Sequence, residues 1–189
     1  VPLPGPVQAQ GAAKVFIAKR FDALPTGPTC NFTLPPHMAR CTGPAGCISE
    51  CSGNTLSDGL VLAAAHCFDA NFFRLRLRRM MREFGYSDDV ATDPCGINSI
   101  KVEVVAVMVC YDYEQSNDDA TLESCRPDRR YMANGVSWWP RPALSKVDPP
   151  TIHGAVDTII PAPYDHSIIF LATPVTHLPP GALFKYNYR

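Results

Sequence analysis

The stretch Cys51-Ser52-Gly53-Asn54-Thr55-Leu56-Ser57-Asp58-Gly59-Leu60-Val61-Leu62-Ala63-Ala64-Ala65-His66-Cys67 decides how this chain is read. Residues 52 to 65 carry a β-like segment that includes the apolar run Leu60-Val61-Leu62 and ends in three alanines. Small residues ahead of His66 let its backbone pack tightly while the imidazole faces outward. Cys67 can bridge back sixteen positions to Cys51, and a loop of that length stabilises by ~3 kcal/mol on the chain-entropy account. Such a staple would hold the imidazole in one place, as a proton-transfer group requires. The plainer reading is a buried structural histidine beside a disulfide.

Working outward, Val15-Phe16-Ile17 reads as the start of a strand, and Ile100 to Cys110 as a largely buried one, rich in β-branched residues. Ile168 to Leu171 reads as another buried strand. Between Phe72 and Arg82, Arg74, Arg76 and Arg78 alternate with Phe73, Leu75 and Leu77. Period two predicts a strand with one wet face. With Arg79 and Arg82, that face is a solvated one, or a patch for anionic glycans or an acidic partner. Residues 24 to 50 are rich in Pro, Gly and Cys and read as loops. Residues 111 to 150 are polar and turn-rich and read as a surface insertion. Residues 1 to 14 form an extended arm. The class that results is all-β, a barrel or sandwich of short strands.

Composition agrees. The chain has 189 residues, 17 basic and 18 acidic, for a formal net charge of -1. That balance argues against a nucleic-acid binder, which would show a basic excess. An apolar fraction of 46% supplies a core. The 19 prolines are about twice the usual ~5% and argue against long helices. No apolar run approaches the ~20 residues of a membrane helix. The proline-rich Val1 to Gln10 is not a signal peptide, which a secreted chain loses on maturation.

Eight cysteines, at positions 30, 41, 47, 51, 67, 95, 110 and 125, favour disulfides and an oxidising compartment. No CxxC pair occurs, so no zinc site is expected, and no other metal or cofactor is implied. The sequon Asn31-Phe32-Thr33 marks Asn31 as a glycosylation candidate consistent with secretion. Asp88-Asp89 and Asn117-Asp118-Asp119 lack full calcium-loop spacing and read as turns. His37, His153 and His177 lack partners at ligand spacing and read as exposed. Trp138-Trp139 is a binding tip or a packing plug.

The His66 segment resembles the trypsin- and chymotrypsin-like serine proteases. Their mark is a Cys, a small-Gly pair, an apolar strand and Thr-Ala-Ala-His-Cys; here Ala63 replaces the Thr. The cysteine interval matches, which implies a Cys51–Cys67 bridge. The other six cysteines allow fifteen pairings. Cys30, Cys41 and Cys47 are expected to staple the N-terminal loops, and Cys95, Cys110 and Cys125 the insertion. A second segment, Tyr164-Asp165-His166-Ser167-Ile168-Ile169-Phe170-Leu171-Ala172-Thr173-Pro174-Val175, resembles the surroundings of that family's catalytic aspartate. The resemblance implies that His66 is general base and acid and that Asp165 orients it, in the family's order of His before Asp.

The chain also departs from that family. His66 and Asp165 lie 99 residues apart, against about 45 in the template; loops absorb such excess at small entropic cost. No Gly-Asp-Ser-Gly-Gly occurs, and 24 residues follow Asp165, where the template serine stands ~93 beyond the aspartate. Gly135-Val136-Ser137-Trp138, the nearest glycine-serine arrangement, fits neither that motif nor a nucleophile elbow. The Ile-Val-Gly-Gly terminus of active members has only a faint counterpart at Ile17.

The resemblance therefore implies the first β-barrel of a secreted, extracellular trypsin-like endopeptidase with long loop insertions, spanning residues 15 to 189. The second barrel is largely missing, and the chain alone is expected to be inactive. Its partners would be protein or peptide substrates, with no nucleic acid and no membrane. The uncovered cleft wall would favour self-association. The alternative is a secreted, non-catalytic protease homologue acting as a binding module.

Overall fold

In the strand β1, Ala12–Phe21, the residues Ala13, Val15, Ile17, Lys19 and Phe21 are buried on one row. That period of two is the mark of a strand with one face to a core. The computed structural model describes residues 11–21, 30, 32–34, 36–44, 46–86, 93–111, 123–138 and 165–178. Five further strands follow: β2 Cys47–Ser57, β3 Leu60–Ala63, β4 Val102–Cys110, β5 Arg130–Trp138 and β6 Ser167–Leu171. All pair antiparallel and close into a barrel in the order β1-β2-β3-β6-β5-β4. Closure gives each of the six strands a neighbour on both sides. The expected all-β barrel is thus present, joined by a helical turn α1, Pro36–Ala39, and one long helix α2, Ala70–Glu83.

Val15, Ile17, Val61, Val107, Val109, Tyr111 and Ile169 fill the barrel. A second apolar cluster lies beneath α2, where Leu77 and Met81 pack with Phe21, Ile97, Ile100 and the buried Cys30 and Cys95. All eight cysteines are paired, as Cys30–Cys95, Cys41–Cys47, Cys51–Cys67 and Cys110–Cys125. Cys95 therefore ties the N-terminal loops to the segment after α2, not to the region beyond β4.

Three expectations are corrected. The segment 72–82 is helix, not strand. Its apolar residues also recur at Phe73, Leu77, Met80 and Met81, the i, i+4, i+7, i+8 spacing of a helix face. No residue of Ala70–Glu83 is β-branched, and Leu, Arg and Met are good helix formers. The helix stops at Gly85, with φ +79°. There the Tyr86 N–H donates to the Met81 carbonyl and the Gly85 N–H to the Arg82 carbonyl, both at 3.0 Å, a Schellman closure that glycine makes without strain.

Second, the insertion placed at 111–150 contains β5, which completes the barrel between β4 and β6. In the sheet Asn134-Gly135 lies where the register shifts between Ala133 and Gly135, a bulge that lets Tyr131, Ala133 and Val136 all reach the interior. Third, the arm ends sooner than residue 14, since Ala12, Ala13 and Lys14 already pair with β2.

Three charged residues are buried among the described residues, Asp69 and the cations Arg78 and Lys19. Arg78 donates to Asp93 Oδ1 at 2.9 Å and Asn98 Oδ1 at 2.7 Å. Asp93 in turn accepts the Ile97 and Asn98 N–H groups, each at 2.9 Å, so α2 is pinned to the loop before β4. Lys19 is only 6% exposed. Burial, with the charge of Arg76 second, lowers its pKa from 10.5 to about 8.

Two outcomes follow. Ile169→Ala, at the sealed centre of the barrel, costs about 2–5 kcal/mol in guanidinium unfolding with the disulfides intact. For Lys19, the unfolded chain binds the extra proton between pH 8 and 10.5, so its share of stability rises with pH across that window. Lys19→Met should raise stability at pH 7 and flatten that rise; equal curves for variant and wild type would contradict the depressed pKa.

Candidate active site

His66 sits in the 3-10 turn Ala65–Cys67 that directly follows β3. Ala63 and Ala65 are buried and Ala64 is half-buried. A larger side chain at the first two positions would collide with the barrel wall, which is the physical use of the small residues. Cys67 is buried and bridged to Cys51 in β2, so the residue next to the histidine is covalently fixed to the neighbouring strand.

Asp165 arrives from the other side. β3 and β6 pair with Ala63 opposite Ser167, and continuing that register by two residues sets Asp165 opposite Ala65, beside the histidine. The Ser167 hydroxyl donates to the Ala63 carbonyl at 3.1 Å, which locks the end of the ladder. The Asp165 carboxylate then grips His66 twice. Oδ1 accepts the His66 backbone N–H at 2.9 Å, and Oδ2 lies 2.7 Å from Nδ1.

A carboxylate only accepts hydrogen bonds, so Nδ1 carries the proton and Nε2 is the basic nitrogen of the neutral ring. The side chains are 32% exposed for His66 and 18% for Asp165: sheltered enough to strengthen the bond, open enough for the ring to reach a reactant. The arrangement can therefore hold an imidazole in one tautomer and stabilise the imidazolium formed when Nε2 takes a proton.

Donor atoms of Cys51, His66 and Cys67 lie within 4.8 Å of one another, a spacing that would suit a metal. Both sulfurs are spent in the disulfide, so neither offers the thiolate that a soft-metal site needs.

The other candidates separate. Asn31, His153, Trp139, Asp88, Asp89 and residues 117–119 lie outside the described residues, as do the side chains of His37 and Trp138. Ser137 is an exposed residue of β5, opposite Ile168. The arginine series is a helix: Arg76, Arg79 and Arg82 are exposed, Arg78 is buried, and Arg74 donates to the Ile100 carbonyl.

His177 is a correction, because it is not an exposed, partnerless residue. Its Nδ1 bonds the Tyr131 hydroxyl at 2.9 Å, and its ring packs edge-on to Tyr111 with centroids 5.1 Å apart. Tyr111 continues the chain to Thr55 at 2.7 Å. Burial, then the charge of Arg129, lowers the His177 pKa, with Asp128 opposing. The readable signal was Pro174-Val175. Val175 is buried and its N–H donates to the Asp58 carbonyl at 2.6 Å, which carries the following residues back over the barrel.

Asp165→Ala removes both acceptors from His66 and should cost about 2–4 kcal/mol, since hydrogen bonds to charged groups contribute more than neutral ones. Amide exchange at His66 should accelerate more than at Val61, within the barrel; equal protection at His66 in both proteins would show that the clamp does not hold the turn.

Comparison with known proteins leaves the site to be read from its own geometry: no protein-family model matches the chain, and no curated protein matches it.

Proposed function

We propose that His66 and Asp165 are the base and the orienting carboxylate of a trypsin-like serine endopeptidase, and that the barrel described above is the first of its two. The carrying observation is the double grip of Asp165 on the His66 N–H and Nδ1. The strand order, the disulfide beside the histidine and the placement of Asp165 just before β6 support the same reading.

In this mechanism Nε2 accepts the proton of a serine hydroxyl as its oxygen attacks the peptide carbonyl. The imidazolium then returns that proton to the leaving amine, and water resolves the acyl-enzyme by the same route. Asp165 stays ionised throughout. The serine, the oxyanion donors and the pocket that selects the substrate are assigned to polypeptide other than these 189 residues, in which no Gly-Asp-Ser-Gly-Gly occurs. The four disulfides fit an oxidising compartment, and secretion belongs to the proposal. So does association through a cleft wall that a second barrel would cover.

The missing motif favours one second reading, a secreted protease homologue that binds protein without cleaving it. A fluorophosphonate probe on the natural, full-length gene product separates the two. The enzyme is labelled, at a rate that falls about 10⁴-fold or more in Asp165→Asn and further in His66→Ala. No labelling of the natural product, with a stop codon directly after Arg189, would replace the enzyme by the binding module. Labelling that survives His66→Ala unchanged would remove His66 from the chemistry.

A further inference from the structure

Ser167, the first residue of β6, is only 1% exposed. Its backbone pairs on both sides, with Ala63 of β3 and Trp138 of β5, so its side chain hangs from a fixed point. A hydroxyl buried among aliphatic groups has to find an acceptor. This one reaches two, the Ala63 carbonyl at 3.1 Å and the Ala64 carbonyl at 3.4 Å. Carbonyls only accept, so the single proton is shared between them in a three-centre bond.

Those two carbonyls straddle the point where β3 gives way to the His66 turn. The last rung between β3 and β6 is Ala63 opposite Ser167. Ala64 is still extended and caps the 3-10 turn Ala65–Cys67. Past that rung side chains take over. Ser167 holds the Ala64 carbonyl, and Asp165, two residues earlier, holds the His66 N–H and Nδ1. One grips the opposite chain by an acceptor and the other by donors, at successive points. Sliding the turn along β6 in either direction would lengthen one of these bonds.

The hydroxyl is not needed to satisfy the turn. The Ala64 carbonyl also accepts the Cys67 N–H at 3.3 Å, so it keeps a partner without Ser167. What the second bond adds is a fixed orientation for the peptide that leads into His66. Sequence points to the same rung. The proteases that this segment resembles carry a threonine where Ala63 stands, and here the facing residue brings the hydroxyl instead.

We propose that Ser167 is a positioning residue of the candidate site. Its shared hydroxyl extends the hold of β6 by one residue, from the end of the ladder to the His66 turn, and so sets the imidazole against Asp165. This role rests on the reading of His66 and Asp165 as base and orienting carboxylate. Ser167 touches no reactant and acts through the backbone of Ala63 and Ala64.

The test compares variants of the natural, full-length gene product. Ser167→Ala removes one oxygen and should fold. Ser167→Thr keeps the hydroxyl, and Ser167→Val has the same shape without it. With histidine labelled with ¹⁵N, exchange of the His66 Nδ1 proton with water should be at least about tenfold faster in the Ala and Val variants than in wild type and Thr. Amide exchange at Val61 and Ile169, inside the barrel, should stay unchanged, which a general loosening would not allow. With a fluorophosphonate probe, the maximal labelling rate should fall about tenfold in Ala and Val, at an unchanged half-saturating probe concentration. Equal Nδ1 proton exchange in Thr and Val, or in wild type and Ala, overturns the proposal whether or not the probe reacts. So does an unchanged labelling rate in Ala and Val. A wild type that takes no label instead sinks the proteolytic reading, and Nδ1 exchange then decides alone whether the hydroxyl sets the imidazole.

Discussion

The pairing of β3 with β6 is the constraint on which both the barrel and its candidate site depend. These are the shortest strands, Leu60–Ala63 and Ser167–Leu171, and their segments lie about a hundred residues apart in the chain. Without this ladder the sheet would be open, with β3 and β6 as edges. With it, one register sets Val61 against Ile169 in the sealed core and Asp165 beside His66 at the rim. A slip of one residue would turn Ile169 outward and carry the carboxylate away from the ring. Packing and chemistry are thus fixed by the same hydrogen bonds, which is why a short ladder suffices to position a proton-transfer pair.

The rest of the molecule supports that ladder in two ways. Inside the barrel, branched aliphatic side chains meet from opposite walls, and the Thr55–Tyr111 and Tyr131–His177 hydrogen bonds pair the hydroxyls admitted among them, while His177 Nε2 is left without a partner. Outside it, disulfides do what core volume cannot. Cys51–Cys67 fixes the residue after the histidine, and Cys110–Cys125 returns the chain from β4 toward β5. Cys30–Cys95 ties loop segments beneath α2, where a second apolar cluster forms. A chain so rich in proline cannot rely on long helices, and covalent ties that limit the unfolded ensemble are an effective substitute.

Charge is distributed in the same economical manner, with one exception. Arg78 is buried but matched by Asp93 and Asn98, and Arg20 is matched by Glu103. Of the two buried cations among the described residues, Lys19 has no counter-charge there, and burial lowers its pKa from 10.5 to about 8.

Much was legible from residues alone because the signals were local. Continuous β-branched and apolar runs mark Ile100 to Cys110 and Ile168 to Leu171 as strands, and the small residues before His66 mark a tightly packed backbone. Helix α2 reads as a strand in the sequence because the six alternating residues Phe73 to Arg78 fit a strand as well as a helix; the deciding features are the absence of β-branching and the return of apolar residues at Met80 and Met81. Strand β5 is hidden in the sequence because it lies within the polar, turn-rich stretch 111–150, where no apolar run sets it apart. The Cys30–Cys95 tie and the place of His177 could not be read at all, since each depends on segments far apart in the chain meeting over a common core. Sequence by itself determined which residues could form a base and its orienter, because residue type and order are local properties. Only the tertiary structure decided that they meet, because a contact across 99 residues exists only when the barrel closes in a single register.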